Sequence, residues 1–231
     1  MMDMLKHPAV LLWITITAYW AANLLRARTG SVLFNPVVMT TVVVIVYLKL
    51  CGIEYPVYHE TAELIDFWLK PAVVGLAVPL YINWEKIRKQ WLPIVLSQGA
   101  GSITGIVTAV WIAKLMGAQR EVVISLAAKS VTNPIAIEIT KSMGGIPAIT
   151  AATVIAAGMI GQMAGYRMMR MSTVRKPMSQ GMSMGSASHA MGIAASLEKS
   201  RKFAAYASLG LIFNGILTAI FVPLLLPVMG I

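Results

Sequence analysis

Eight stretches of the chain are predominantly apolar, at roughly 8–25, 31–49, 64–82, 92–116, 121–139, 145–169, 178–197 and 203–229. Most reach the ~20 residues that an α-helix needs to cross a hydrocarbon core. Pro8–Leu25, Ser31–Leu48, Trp91–Ala113, Ser142–Tyr166 and Phe203–Ile231 carry no formal charge. The pattern predicts an all-α, polytopic integral membrane protein with about six to eight membrane segments. No polar stretch is long enough for a soluble domain, so residues 1–231 read as one membrane domain.

The stretch 177–197 stands apart. It is uncharged but built mainly of Gly, Ser, Ala and Met around His189, nearly lacking the Leu, Ile and Val of a lipid-facing helix, with only Ile193 and Leu197. Polar and ionisable groups at membrane depth are costly and normally face a cavity or another helix. Two further stretches read as interrupted. Pro71 and Pro79 flank Gly75, and proline removes a backbone donor and clashes with the preceding turn. Lys129-Ser130-Val131-Thr132-Asn133-Pro134 places a lysine and a helix breaker inside the fifth stretch, with Glu138 beyond. Broken, small-residue segments are where carriers place substrate.

The eight stretches fall into two sets of four, with starts offset by about 110 residues. At that offset Thr104-Gly-Ile-Val-Thr-Ala-Val-Trp111 aligns with Asn214-Gly-Ile-Leu-Thr-Ala-Ile-Phe221, and Gly75 meets Gly185. This suggests a four-plus-four internal repeat with halves near 1–117 and 118–231. Basic residues flank both ends of 178–197, at Arg175/Lys176 and Lys199/Arg201/Lys202. A re-entrant hairpin keeps both clusters on the cytoplasmic side, as the positive-inside rule requires. If 64–82 mirrors it, each half crosses three times and the halves are inverted. That arrangement sacrifices the cluster Lys86/Arg88/Lys89. The acidic linker holding Glu54, Glu60, Glu63 and Asp66 reads as external.

Composition sharpens this. Only 12% of residues are charged and 58% are hydrophobic, against about a quarter charged in soluble domains. The net charge of +10 comes from short inter-helix clusters, which speaks against a nucleic-acid partner. Cys51 is the single cysteine and reads as apolar filler. No metal site is suggested, because His189 has no second histidine near it in sequence. Gly181-Met-Ser-Met-Gly185 matches a hydrolase pattern that works on a strand-to-helix turn. The chain offers no sheet, so the protein is read as no enzyme and no cofactor is expected. The remaining site residues follow from the interruptions. Lys129, Ser130, Thr132 and Asn133 suit a carboxylate at a half-helix N-terminus, where exposed amides favour anions. Glu138 is an alternative partner for Lys129. Ser186, Ser188 and His189 suit a hydroxyl or keto oxygen, or a proton relay, against the plainer reading of His189 as hydrogen-bonded to a helix neighbour.

Lys129-Ser-Val-Thr-Asn-Pro-Ile-Ala-Ile-Glu138, Gly144-Gly-Ile-Pro-Ala-Ile-Thr150, Gly185-Ser-Ala-Ser-His-Ala-Met-Gly192 and Asn214-Gly-Ile-Leu-Thr-Ala219 resemble the LrgB/CidB family of bacterial membrane proteins over essentially the whole chain. The family pattern usually has threonine where Asn133 and Ser186 stand; both replacements keep a hydrogen-bonding side chain. The resemblance implies a multi-pass protein of the bacterial cytoplasmic (inner) membrane and two competing functions. One is a carrier of small monocarboxylates such as glycolate, glycerate or pyruvate, working by alternating access with a coupling ion, H+ or Na+, left open. The other is a holin/antiholin-like regulator of murein hydrolases and lysis. An LrgA-like membrane partner and a homo-oligomer, a dimer first, are the expected protein partners; a small organic anion and the lipid bilayer complete the list.

Overall fold

In the computed structural model, residues 5–30, 34–75, 77–82 and 84–231 are described. They are helical with short connections, and no strand occurs among them. Among the described residues, four helices are long and apolar enough to span a bilayer: Pro8–Thr29, Trp91–Leu115, Pro147–Met171 and Arg201–Val228. The chain forms two compact units, Met1–Gly75 and Leu76–Ile231.

The first unit holds α1 (Pro8–Thr29), α2 (Pro36–Leu50) and α3 (Tyr55–Gly75). Proline begins α1 and α2, where its missing N–H costs nothing, and the side chains of His7 and Asn35 cap the next amides. Leu11, Val44, Leu48 and Ile53 make its buried core. The predicted acidic linker is instead largely the first part of α3, which starts at Tyr55 and continues through Pro71. The interruption expected around Gly75 falls at Leu76, outside the described residues.

The second unit holds α4 (Ala77–Ile82), α5 (Trp84–Lys89), α6 (Trp91–Leu115), α7 (Arg120–Ala127), α8 (Asn133–Met143), α9 (Pro147–Met171), α10 (Pro177–Lys199) and α11 (Arg201–Val228). Two parts of it are hairpins that cannot cross a membrane. Helices α7 and α8 have 8 and 11 residues, about 12 and 16 Å at 1.5 Å per residue. They fold back on each other, because Thr150 Oγ1 reaches both Thr140 Oγ1 (2.8 Å) and the carbonyl of Ser125 (3.1 Å). Gly144 ends α8 in the left-handed region (φ 78°), which glycine enters without a Cβ penalty. Gly145 then lies so close that a Cβ would meet Thr140 Cγ2 at 2.7 Å and Ile124 Cγ2 at 2.9 Å.

Helix α10 reverses at His189, whose φ of 42° and ψ of −130° are not helical. On a straight helix Gln180 and Lys199 would stand about 28 Å apart, yet Lys199 Nζ lies 3.4 Å from Gln180 Oε1. A Cβ on Gly192 would run into the carbonyl of Met184 in the first arm. Neighbouring residues of α9 touch both arms: a Cβ on Gly165 would meet Met184, and Tyr166 Oη donates to Ser196 Oγ at 2.8 Å. The re-entrant reading of 178–197 therefore holds, with both basic flanks at one end of the unit.

Contacts along the helices fix the directions. Ser102 pairs with Thr218 (3.0 Å), and Lys114 Nζ donates to Met229 O (2.8 Å), so α6 and α11 run parallel. Helix α9 runs the other way. The α7–α8 hairpin enters from the end where α6 finishes, and the α10 hairpin from the end where α6 begins. The two tips approach from opposite faces.

Three sequence expectations need restating. Within the second unit the hairpin that opposes 177–199 is 120–143; the break expected in 64–82 lies outside the described residues. Inversion is present, but it relates α7–α8–α9 to α10–α11; at the 110-residue offset α6 and α11 point the same way. The cluster at 86–89 immediately precedes α6 and lies at the same end as the other basic clusters, so the charge rule loses nothing there. At and beyond the first tip, Val131 joins Val110, Val123, Ile124, Val222 and Leu226 in an almost fully buried apolar core.

Candidate functional site

Between the basic end of the second unit and the hairpin tips lies a cavity of about 1230 Å³. Gln90, Lys176, Ser179, Lys202 and Tyr206 line its mouth; Lys129, Ser130, Ser186, Asn214, Ser102 and Thr218 line its depth. Its charged wall residues are Lys129, Lys176 and Lys202, with no Asp or Glu among the described residues there.

Lys129 follows the last turn of α7, in the connection that forms the first tip. Its Nζ donates to Ser130 Oγ at 3.2 Å, and no carboxylate among the described residues comes within ion-pair distance. Glu138, the alternative partner considered above, instead pairs with Lys141 at 3.5 Å on an exposed face. An ammonium at this depth, with hydroxyls and a polar cavity around it, is an attractive position for an anion.

Of the seven predicted site residues, Lys129, Ser130 and Ser186 line the cavity. The other four gather at the tips but not on its wall. Thr132 is the N-cap of α8 and makes no capping bond; its Oγ1 and Asn133 Oδ1 are buried without partners. Ser188 is fully buried against Gly161, and its Oγ has no partner. His189 is 5% exposed, with Nε2 2.9 Å from the carbonyl of Val154 and its ring against Gly158. The plainer reading of His189 is the one the geometry matches. The reason is helical periodicity: at 100° per residue, Met182, Ser183 and Ser186 share the cavity face, while Met184 and Ser188 face α9.

The first arm of α10 needs its small residues for a different purpose. A Cβ on Gly185 would strike the carbonyl of Ala207, and one on Gly210 that of Met182. Backbone meets backbone there, which is the use of small-residue faces in membrane helices. Ser183, centre of the hydrolase-like pattern, sits within this helix rather than on a strand-to-helix turn. Among the described residues no group of three or more His, Cys, Asp or Glu gathers that could hold a metal.

Four polar residues that the sequence reading left out stand at the same depth. Asn214 is 2% exposed, and its Nδ2 donates to the carbonyls of Ser130 (3.1 Å) and Ser186 (2.9 Å). Ser102 and Thr218 pair beside it, and Gln98 is buried with Oε1 unpartnered. The available signal was spacing. Gln98 and Ser102, like Asn214 and Thr218, are i, i+4 pairs that share one face of an otherwise apolar span.

The LrgB-like family model matches residues 15–228. Among similar proteins, an "Antiholin-like protein LrgB" of Bacillus mycoides (strain KBAB4) is 33% identical over 218 residues, 94% of this chain and 95% of that protein. Proteins of the same name from Bacillus cereus (strain B4264) and Bacillus anthracis (strain CDC 684 / NRRL 3495) are 32% identical over the same shares. No solved structure matches. The matched span contains both hairpins, the cavity wall and Asn214, and the chain belongs to the LrgB-like family.

Proposed function

We propose that the second unit binds a small organic anion at the hairpin tips and carries it across the bacterial cytoplasmic membrane by alternating access. The observation that carries this reading is the cavity ending at two helix breaks, with Lys129 at its floor and no acidic residue among the described residues of its wall. Hairpins that enter from opposite faces and meet at mid-depth are the arrangement that inverted repeats use for transport. The basic clusters at the mouth support a cytoplasmic opening. Monocarboxylates such as glycolate, glycerate or pyruvate fit the charge. Lys129, Ser130 and Ser186 hold the anion, with Thr132 and Asn133 behind them at the start of α8.

A second reading, a holin/antiholin-like regulator of murein hydrolase activity, is favoured by the names of the relatives. Those names support it better than they support any particular carrier substrate. The two readings separate in proteoliposomes. Saturable uptake of labelled glycolate or pyruvate, lost in Lys129→Gln with an entrapped dye retained, supports the carrier. Dye leakage, or absence of uptake for every monocarboxylate tried, supports the regulator.

A further inference from the structure

We propose that Asn214 is a positioning residue that ties the two hairpin tips together, so that the anion-facing ends of both move as one. The tie follows from what the two breaks leave over. The regular helical donor for the carbonyl of Ser130 would be residue 134, a proline without an N–H. Ser186 lies one turn before the reversal at His189, where helix continuity ends. A single carboxamide satisfies both carbonyls, at 3.1 and 2.9 Å.

Its orientation is fixed by chemistry. Both partners are acceptors, so the NH2 group faces them, and an amide NH2 carries two hydrogens, one for each. The remaining Oδ1 lies 3.5 Å from Thr218 Oγ1, which pairs with Ser102 Oγ on α6. Asn214 is also 13 positions into a 28-residue helix, close to its midpoint, where the tips from opposite faces can both reach it. An independent displacement of either hairpin must break one of these two bonds and leave a buried carbonyl unpaired.

This deepens the anion-binding reading, because it makes Lys129–Ser130 and Ser186 one site rather than two neighbouring ones. It is tested without any anion, so it stands or falls separately. In a Cys51→Ser background, single cysteines replace Ser130, Ser186 or, as a control on the α6 wall, Ser97. Their reaction rates with a small water-soluble maleimide are measured with Asn214 intact and in Asn214→Leu and Asn214→Asp. The expected result is an acceleration of about fivefold at both tip positions, the factor one neutral hydrogen bond represents, and no change at position 97. Should Asn214→Leu and Asn214→Asp fail to fold, Thr218→Val removes the hydroxyl that orients the amide and is read the same way. Acceleration at one tip only, at neither, or equally at the control overturns the tie.

Discussion

Gly185→Ala adds one methyl group, and the structure makes its effect large. In a helix interior alanine is favoured over glycine by about 1 kcal/mol, so a site with room gains stability. At Gly185 the new Cβ overlaps the carbonyl oxygen of Ala207 and lies 2.6 Å from its carbon and 2.9 Å from its Cα. Ala207 is fully buried and the obstacle is main chain, which no rotamer change can remove. Overpacking costs about 1–3 kcal/mol, and more where nothing yields. The upper end, less the propensity gain, leaves a net loss of about 2 kcal/mol. For a chain of this size that is a fall of roughly 4–8 °C in melting temperature. Gly101→Ala is the matched control, since its Cβ would find only Ser186 Oγ at 3.9 Å. Thermal melting of both variants in one detergent, read by loss of the monodisperse peak, decides the matter. Gly101→Ala should match or exceed the parent while Gly185→Ala falls below it. If the two melt alike, the backbone-to-backbone packing of α10 on α11 is wrong.

Lys129→Gln should weaken anion binding about 10- to 150-fold, the factor that a charge-assisted hydrogen bond of ~1.5–3 kcal/mol represents. Lys176→Gln or Lys202→Gln at the exposed mouth should change it by about twofold at low salt and not at all at high salt; titration at two ionic strengths separates them. His189→Gly should be more stable than His189→Ala, by about 1 kcal/mol or more, because φ at this residue is positive. Elsewhere in a helix the order is reversed, so the ranking of the two melting temperatures is the test. Thr150→Val removes the hydroxyl that reaches Thr140 and Ser125 in a fully buried cluster and should cost about 1–3 kcal/mol. Thr104→Val, exposed and bonded only to its own helix, should melt like the parent.

Much of this architecture could be read from residue pattern alone, because the solvent imposes it. Charge-free runs marked the spans, and paired basic flanks around 178–197 favoured a hairpin over a simple crossing, which would put one cluster outside. The Gly144-Gly145-Ile-Pro147 stretch now has a reason: a left-handed cap, a close approach and a helix start in sequence. The opposing hairpin was harder to place. Pro71 and Pro79 drew attention to 64–82, yet Pro71 sits inside α3, whereas Lys129 to Pro134 marks the turn between two half-helices. The cavity wall was half legible. Ser186, Ser188 and His189 are equally polar in a string of letters, and only the packing of α10 against α9 decides which of them faces water. Asn214 was visible as a repeat match, but its two acceptors are main-chain carbonyls, which leave no trace in side-chain identity.

The apolar core beyond the tips has an electrical consequence. On the carrier reading proposed above, a vestibule open to one compartment takes that compartment's potential, so the membrane voltage would drop across the layer of Val110, Val123, Val222 and Leu226 rather than across the full bilayer. One elementary charge crossing that layer exchanges about 2.3 kcal/mol per 100 mV. In the proposed carrier, an anion handed past these residues without a compensating cation would therefore register as current, although its path through the dry layer is only a fraction of the bilayer's thickness.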